Sequence, residues 1–192
     1  MMAMTYGEII AEADERYPNG LTPESKLLKV YNREKQLMRT IYRRKTAATF
    51  DVQAGLFLYP LDFHYSKIFQ AIYAGKYFEY EDINDKLGQP PFLYTYQNSI
   101  GIYPTPTEDI PGGLLLFHYM EPTKPTTATM KSTYPVFDPD FPMVLVYGLC
   151  KDMAEVNKEF DVANGFVQQY NAELEEFIEA NREPAPTEMR VE

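Results

Sequence analysis

The sequence predicts an α+β protein. N- and C-terminal helices form a helical bundle, a block of short antiparallel β-strands is inserted between them, and an extended arm follows the strands. Three observations predict this plan. Apolar residues recur at helical spacing up to about residue 46 and again after residue 140. Between these regions the period shortens towards alternation, punctuated by Gly, Pro and Asn. The segment Pro122 to Pro139 then carries four prolines and five threonines, a composition that disfavours both helix and central strand.

The N-terminal helices occupy residues 1–46. Thr5 to Tyr17 presents Ile9, Ile10 and Ala13 on one side and ends at Pro18-Asn19-Gly20. Thr22-Pro23-Glu24 then opens a long helix with a hydroxyl for the cap, a proline in the first turn and an acid at the positive end of the dipole. Its apolar face holds Leu27, Leu28, Tyr31, Leu37, Met38, Ile41 and Tyr42, and Arg43, Arg44 and Lys45 are expected in its last turn.

Residues 47–121 read as the inserted β-region. Thr46 to Tyr59 gives two strands around Gln53-Ala54-Gly55, and Pro60 to Phe63 is a corner. YSKIFQAIYAGKYFEY alternates as a hairpin turning at Ala74-Gly75, with a helix over FHYSKIFQAIY as the alternative, and Glu81 to Pro91 is a polar loop. The clearest hairpin is FLYTYQNSIGIYP, turning at Gln97-Asn98-Ser99. A further strand runs from Leu114 to Met120, with the glycine pair before it read as a turn. Residues 122–139 are the arm, and residues 140–182 the C-terminal helices. Asp140 is expected to cap the first of these, with Pro142 in its first turn; a flexible tail, 183–192, follows.

Net charge is −10, which argues against a chain that coats nucleic acid as a whole. The charge is polarised. Residues 21–50 hold eight Lys/Arg against two Glu, whereas residues 151–192 hold four basic against eleven acidic residues. These elements invite each other, within a chain or between copies. Sixteen Tyr and twelve Phe, with no Trp, suit surfaces that become buried on association. A single cysteine, Cys150, excludes an internal disulfide and points to a reducing compartment. There is no apolar run of the ~18 residues a spanning helix needs, so no membrane insertion is expected. The N-terminus lacks a signal-peptide pattern.

No catalytic constellation emerges. His64 and His118 stand apart, without His or Cys at ligand spacing. Cys150 sits in an apolar helical run and reads as a core residue. There is no Gly-x-Ser-x-Gly elbow, and the carboxylate pairs accompany no sign of a pocket. Arg39, Arg43, Arg44 and Lys45 are the candidates for contact with DNA or with an acidic neighbour; Arg39 and Arg43 would be i,i+4 neighbours on the basic helix 22–45.

Four stretches together resemble one family: FLYPLDFHYSKIFQAIYAGK, PFLYTYQNSIGIYPTP, GGLLLFHYMEPTKPT and FPMVLVYGLCKDMAEVNKEFDVANGFVQQYNAEL. The resemblance is to the head–tail connector, or adaptor, proteins of tailed bacteriophages. It is carried by the corner from Leu58 to Phe63, by Tyr94, Ile100, Ile102, Pro104 and Pro106 in the hairpin, and by Gly113, Leu115, Tyr119 and Pro122 in the strand that follows.

The resemblance implies a structural virion protein, not an enzyme, with no cofactor or metal. Such adaptors assemble as a ring, expected to be twelvefold, in the neck between portal and tail. The implied partners are further copies of the chain, the portal protein, a downstream neck or tail protein, and the genomic DNA passing through the lumen during ejection. The protein would be made in the host cytoplasm. Tyr94, Tyr96, Tyr103, Pro122, Thr123, Pro125, Tyr134 and Phe137 are the expected subunit or partner interface, with the arm lying on a neighbour. A nucleic-acid-binding module built on the basic helix, and the tubular tail adaptor of a short-tailed phage, remain as alternatives.

Overall fold

In the computed structural model, which describes residues 3–79 and 90–182, local chemistry starts the first two helices where the sequence predicts. Thr5 and Glu8 form a reciprocal capping box for α1 (Tyr6–Arg16). Thr22 accepts from the Ser25 amide and Pro23 opens α2 (Pro23–Thr40). The later pair is α3 (Pro142–Val156) and α4 (Phe160–Ala180). Asp140 does not cap α3. Phe141 holds the cap position without a side-chain bond, and the Asp140 amide donates back to Asp138 Oδ1 at 3.0 Å.

The chain divides into two units: residues 1–42 with 121–192, and residues 43–120. In the helical unit α3 is central, packing against α1, α2 and α4. It is buried almost all round, through Val144, Leu145, Val146, Leu149, Cys150 and Met153. Tyr6, Ile9, Val30, Leu37, Phe137 and Phe177 complete that core. At about 25 cal/mol per Å² of apolar surface, this burial is the main force holding the unit.

The second unit holds seven strands among the described residues. They are β1 (Lys45–Val52), β2 (Leu58–Pro60), β3 (Ile68–Tyr73), β4 (Lys76–Glu79), β5 (Phe92–Tyr96), β6 (Ser99–Tyr103) and β7 (Ile110–Tyr119). They form two antiparallel sheets, ordered β1-β7-β3-β4 and β2-β6-β5. Val52, Ile68, Ala71, Leu93, Ile100, Ile102, Leu114 and Leu116 make their shared core. The glycine pair expected as a turn lies inside β7. Gly112 has φ +62° and donates to Asp51 Oδ1, where the β1–β7 register shifts.

Asn98 joins two of the motifs. Gln97 and Asn98 both have positive φ, the two-residue turn that matches strand twist; Ser99 already belongs to β6. The Asn98 side chain accepts from the Tyr65 amide and donates to the Leu61 carbonyl, both at 3.1 Å. The turn of one hairpin therefore fastens the Pro60–Phe63 corner. Most of the expected loop from Glu81, and the tail from 183, lie outside the described residues.

Candidate interaction surfaces

The outward face of the three-stranded sheet is aromatic. Leu93, Ile100 and Ile102 point into the core, so Phe92, Tyr94, Tyr96 and Tyr103 point out by alternation. Phe92 and Tyr103 are register partners, their rings stacked with centroids 4.8 Å apart. Tyr94 lies opposite Gly101, whose missing side chain makes room for its ring. A Cβ there would stand 2.3 Å from the Tyr94 ring carbon Cζ. Tyr96 and Tyr103 remain 54% and 51% exposed. Flat apolar bodies with hydroxyl tips, prearranged on a rigid sheet, suit a protein partner.

The arm folds back onto its own helical unit. The Tyr6 amide donates to the Thr133 carbonyl and the Gly7 amide to the Met130 carbonyl, at 3.0 and 2.8 Å. Thr126, Thr129 and Thr133 close successive turns with their hydroxyls. The expectation of an extended segment is therefore corrected: threonine hydroxyls substitute for backbone partners and curl the chain. Phe137, expected at an interface, is 1% exposed in the helical core, in edge-on contact with Tyr42. Pro125 is also buried, and Pro122 is half-buried. Thr123 and Tyr134 are exposed, Tyr134 at 57%.

Glu34 anchors this strap. Its carboxylate is fully buried and accepts from the Val136 amide at 2.5 Å, the Phe137 amide at 2.9 Å and the Tyr6 hydroxyl. Burial raises its pKa above the usual carboxylate range, while the three hydrogen bonds pull the other way. Burial also raises Tyr6, and the adjacent Glu34 charge raises it further.

The basic residues do not form one helical face. α2 ends at Thr40, so Arg43, Arg44 and Lys45 are not in its last turn, and Arg43 is not an i,i+4 neighbour of Arg39 on the helix. The Arg43 guanidinium lies 5.3 Å from the Tyr119 ring centre, and Lys45 opens β1 beside the Phe69 ring. Within α2, Lys26 turns inward to Asp14 at 2.7 Å and Arg33 to Asp152 at 2.5 Å. Lys35 and Arg39 point to solvent.

Two recesses mark the helical unit. A groove of about 350 Å³ runs between the first half of α2 and the strap, lined by Leu27, Leu28, Tyr31 and Pro125 with Glu24 and Lys124 at its rim. A crevice of about 560 Å³ lies where α2 and α4 end, between Thr40, Ile41 and Tyr42 on one side and Phe177 to Arg182 on the other.

The family model described as SU10 adaptor protein matches residues 4–191. The chain belongs to this family of phage adaptor proteins. No curated protein matches it. Membership makes it a bacteriophage adaptor, a class of structural protein that interacts with other phage structural proteins.

The adaptor's reactive side chains are engaged structurally. Cys150 is buried, its thiol pushed up to about 11 by burial and directed at the Ala13 carbonyl. His118 stacks on Phe63, 3.5 Å between ring centres. His64 caps the short 3-10 turn Tyr65–Lys67. Among the described residues no group of His, Cys, Asp and Glu could hold a metal ion, and no helix is long and apolar enough to cross a membrane. Sequence reasoning named three of the four aromatic residues on the outer face and missed Phe92. The β5 alternation that selects Tyr94 and Tyr96 selects Phe92 equally.

Proposed function

We propose that this adaptor forms a ring, twelvefold as the resemblance to head–tail connectors implies, in the neck between portal and tail. One end docks on the portal, the other on the next neck or tail protein, and the genome passes through the lumen. The observation that carries this reading is the outward aromatic face of β5 and β6. Phe92 and Tyr103 are held by cross-strand stacking and Tyr94 is seated on Gly101, with Tyr96 exposed beside them. Family membership supplies the class of partner. A net charge of −10 per copy disfavours adhesion to phosphates, so DNA would slide.

The test is binding to the portal ring and to the next neck or tail protein, each measured for wild type and for Tyr96→Ser with Tyr103→Ser. The variant is expected to keep its fold and to lose at least tenfold in affinity for one of the two. Unchanged affinity for both would remove this face from the account.

A further inference from the structure

The helical unit carries two exposed stripes of opposite character. On α2, Glu24, Leu28, Lys35 and Arg39 stand at i, i+4, i+11 and i+15, on one side of the helix. All four are exposed, Leu28 at 44%. Lys35 and Arg39 carry no ion pair among the described residues. On α4 the same spacing picks out Phe160, Asn164, Asn171 and Glu175, with Glu179 one turn further. Phe160 is 64% exposed, an uncovered phenyl ring at the start of the helix.

The two helices run the same way through the unit. Asn157, just before α4, donates to the Tyr17 hydroxyl at 2.8 Å, close to where the chain turns into α2. At the other end Tyr42 meets Phe177, 5.2 Å between ring centres. Each stripe therefore has its one large apolar side chain, Leu28 or Phe160, in its early turns, after Glu24 in the case of α2, and ends in charge, positive on α2 and negative on α4. The groove of Leu28, Tyr31 and Pro125 lies at the same end as Phe160, and Lys35 and Arg39 lie towards the same end as Glu175 and Glu179.

We propose that the α4 stripe of one copy packs on the α2 stripe of the next. This rests on the ring reading and names the contact that closes the ring. Phe160 enters the groove at its Glu24 end, about one turn before Leu28; Glu175 then lies level with Arg39, with Lys35 one turn before it and Glu179 one turn after it. The occupant is a second copy because the complement of each stripe lies on the same chain, at the same height. A head-to-tail contact that closes requires two different patches at matching height. The apolar end supplies the desolvated anchor, and the charged end sets direction, since α2 against α2 or α4 against α4 would oppose like charges.

The test is ring formation by the full chain, alone and on the portal ring, read by native mass spectrometry. Three variants are compared: Lys35→Glu with Arg39→Glu, Glu175→Lys with Glu179→Lys, and Phe160→Ser. Each charge variant alone should assemble at least tenfold more weakly, and mixing the two should restore rings of alternating composition. Phe160→Ser should weaken assembly without rescue by either. If wild type forms rings and both charge variants assemble equally well, the contact is wrong and the ring reading stands. If the charge variants fail alone and remain apart when mixed, the pairing is also wrong. If wild type forms no ring on the portal, the ring reading itself falls.

Discussion

The Tyr94 ring covers the α-carbon of Gly101, its partner across the β5–β6 ladder. A glycine in a strand normally weakens it. Here it seats an aromatic ring that would otherwise stand away from the sheet, and so sets the height of the whole aromatic face. Gly101→Ala should therefore cost about 1–3 kcal/mol through overpacking and displace Tyr94. Urea unfolding measures the first effect and partner affinity the second. A variant as stable as wild type, binding equally well, would show that the ring needs no such seat.

Tyr96 and Tyr103 are half exposed, and the ring that Tyr103 stacks on, Phe92, lies on the same outward face. Replacing both with serine should change stability by less than about 1 kcal/mol while weakening partner binding. Thermal unfolding alongside binding separates the two effects. A large loss of stability would assign these rings to the fold instead.

Glu34 holds the strap, so Glu34→Ala should destabilise the protein by about 2–4 kcal/mol, leaving Tyr6 and two backbone amides without an acceptor. Cleavage of the strap by a dilute protease should rise in parallel. Unchanged stability and protection would mean that water replaces the carboxylate at no cost.

The same residue makes stability depend on pH. Its carboxyl titrates above the ordinary value of 4.5 because it is buried. Between that value and the raised one, the folded chain holds a proton that the unfolded chain has released. Stability from this site is therefore greatest in acid and falls as pH rises through the window. Glu34→Gln removes the titration, so the stability of wild type relative to Glu34→Gln should decline as pH rises above about 4.5. A difference that is flat with pH, or grows with it, would contradict the assignment.

Where local chemistry decides, the sequence was sufficient. Thr5, Thr22 and Pro23 start helices where they were expected to, and Gln97-Asn98 turns its hairpin. Where a tertiary partner decides, it was not. Glu34 sits among Val30, Leu37 and Met38, at a core position of α2. An acid there was a legible sign that something buried needed an acceptor, but not that the acceptor serves Val136 and Phe137, over a hundred residues away. Pro and Thr made 122–139 read as extended, and only contact with α1 and Glu34 shows it folded. Arg43 to Lys45 read as helix because charge at a C-terminus is favourable, yet the change to β-period at Lys45 ends α2 five residues earlier. For the aromatic face, alternation was enough to choose the side, while the role of Gly101 required the register.

These positions also bear on DNA contact. Arg39 closes the exposed stripe of α2, whereas Arg43 packs over Tyr119. Arg39 and Arg43 are not neighbours on one helix, and with a net charge of −10 the isolated chain should bind duplex DNA weakly. The logarithm of its affinity should fall little with salt, unlike the steep slope of a protein that neutralises many phosphates. Titration at two salt concentrations decides it. Tight binding with a steep slope would favour a nucleic-acid-binding role.

The most direct measurement is the native mass of the purified adaptor mixed with its cognate portal ring. The account predicts a single complex carrying a fixed whole number of adaptor copies, twelve if the two rings match in symmetry. A portal that stays bare beside monomeric adaptor would contradict it.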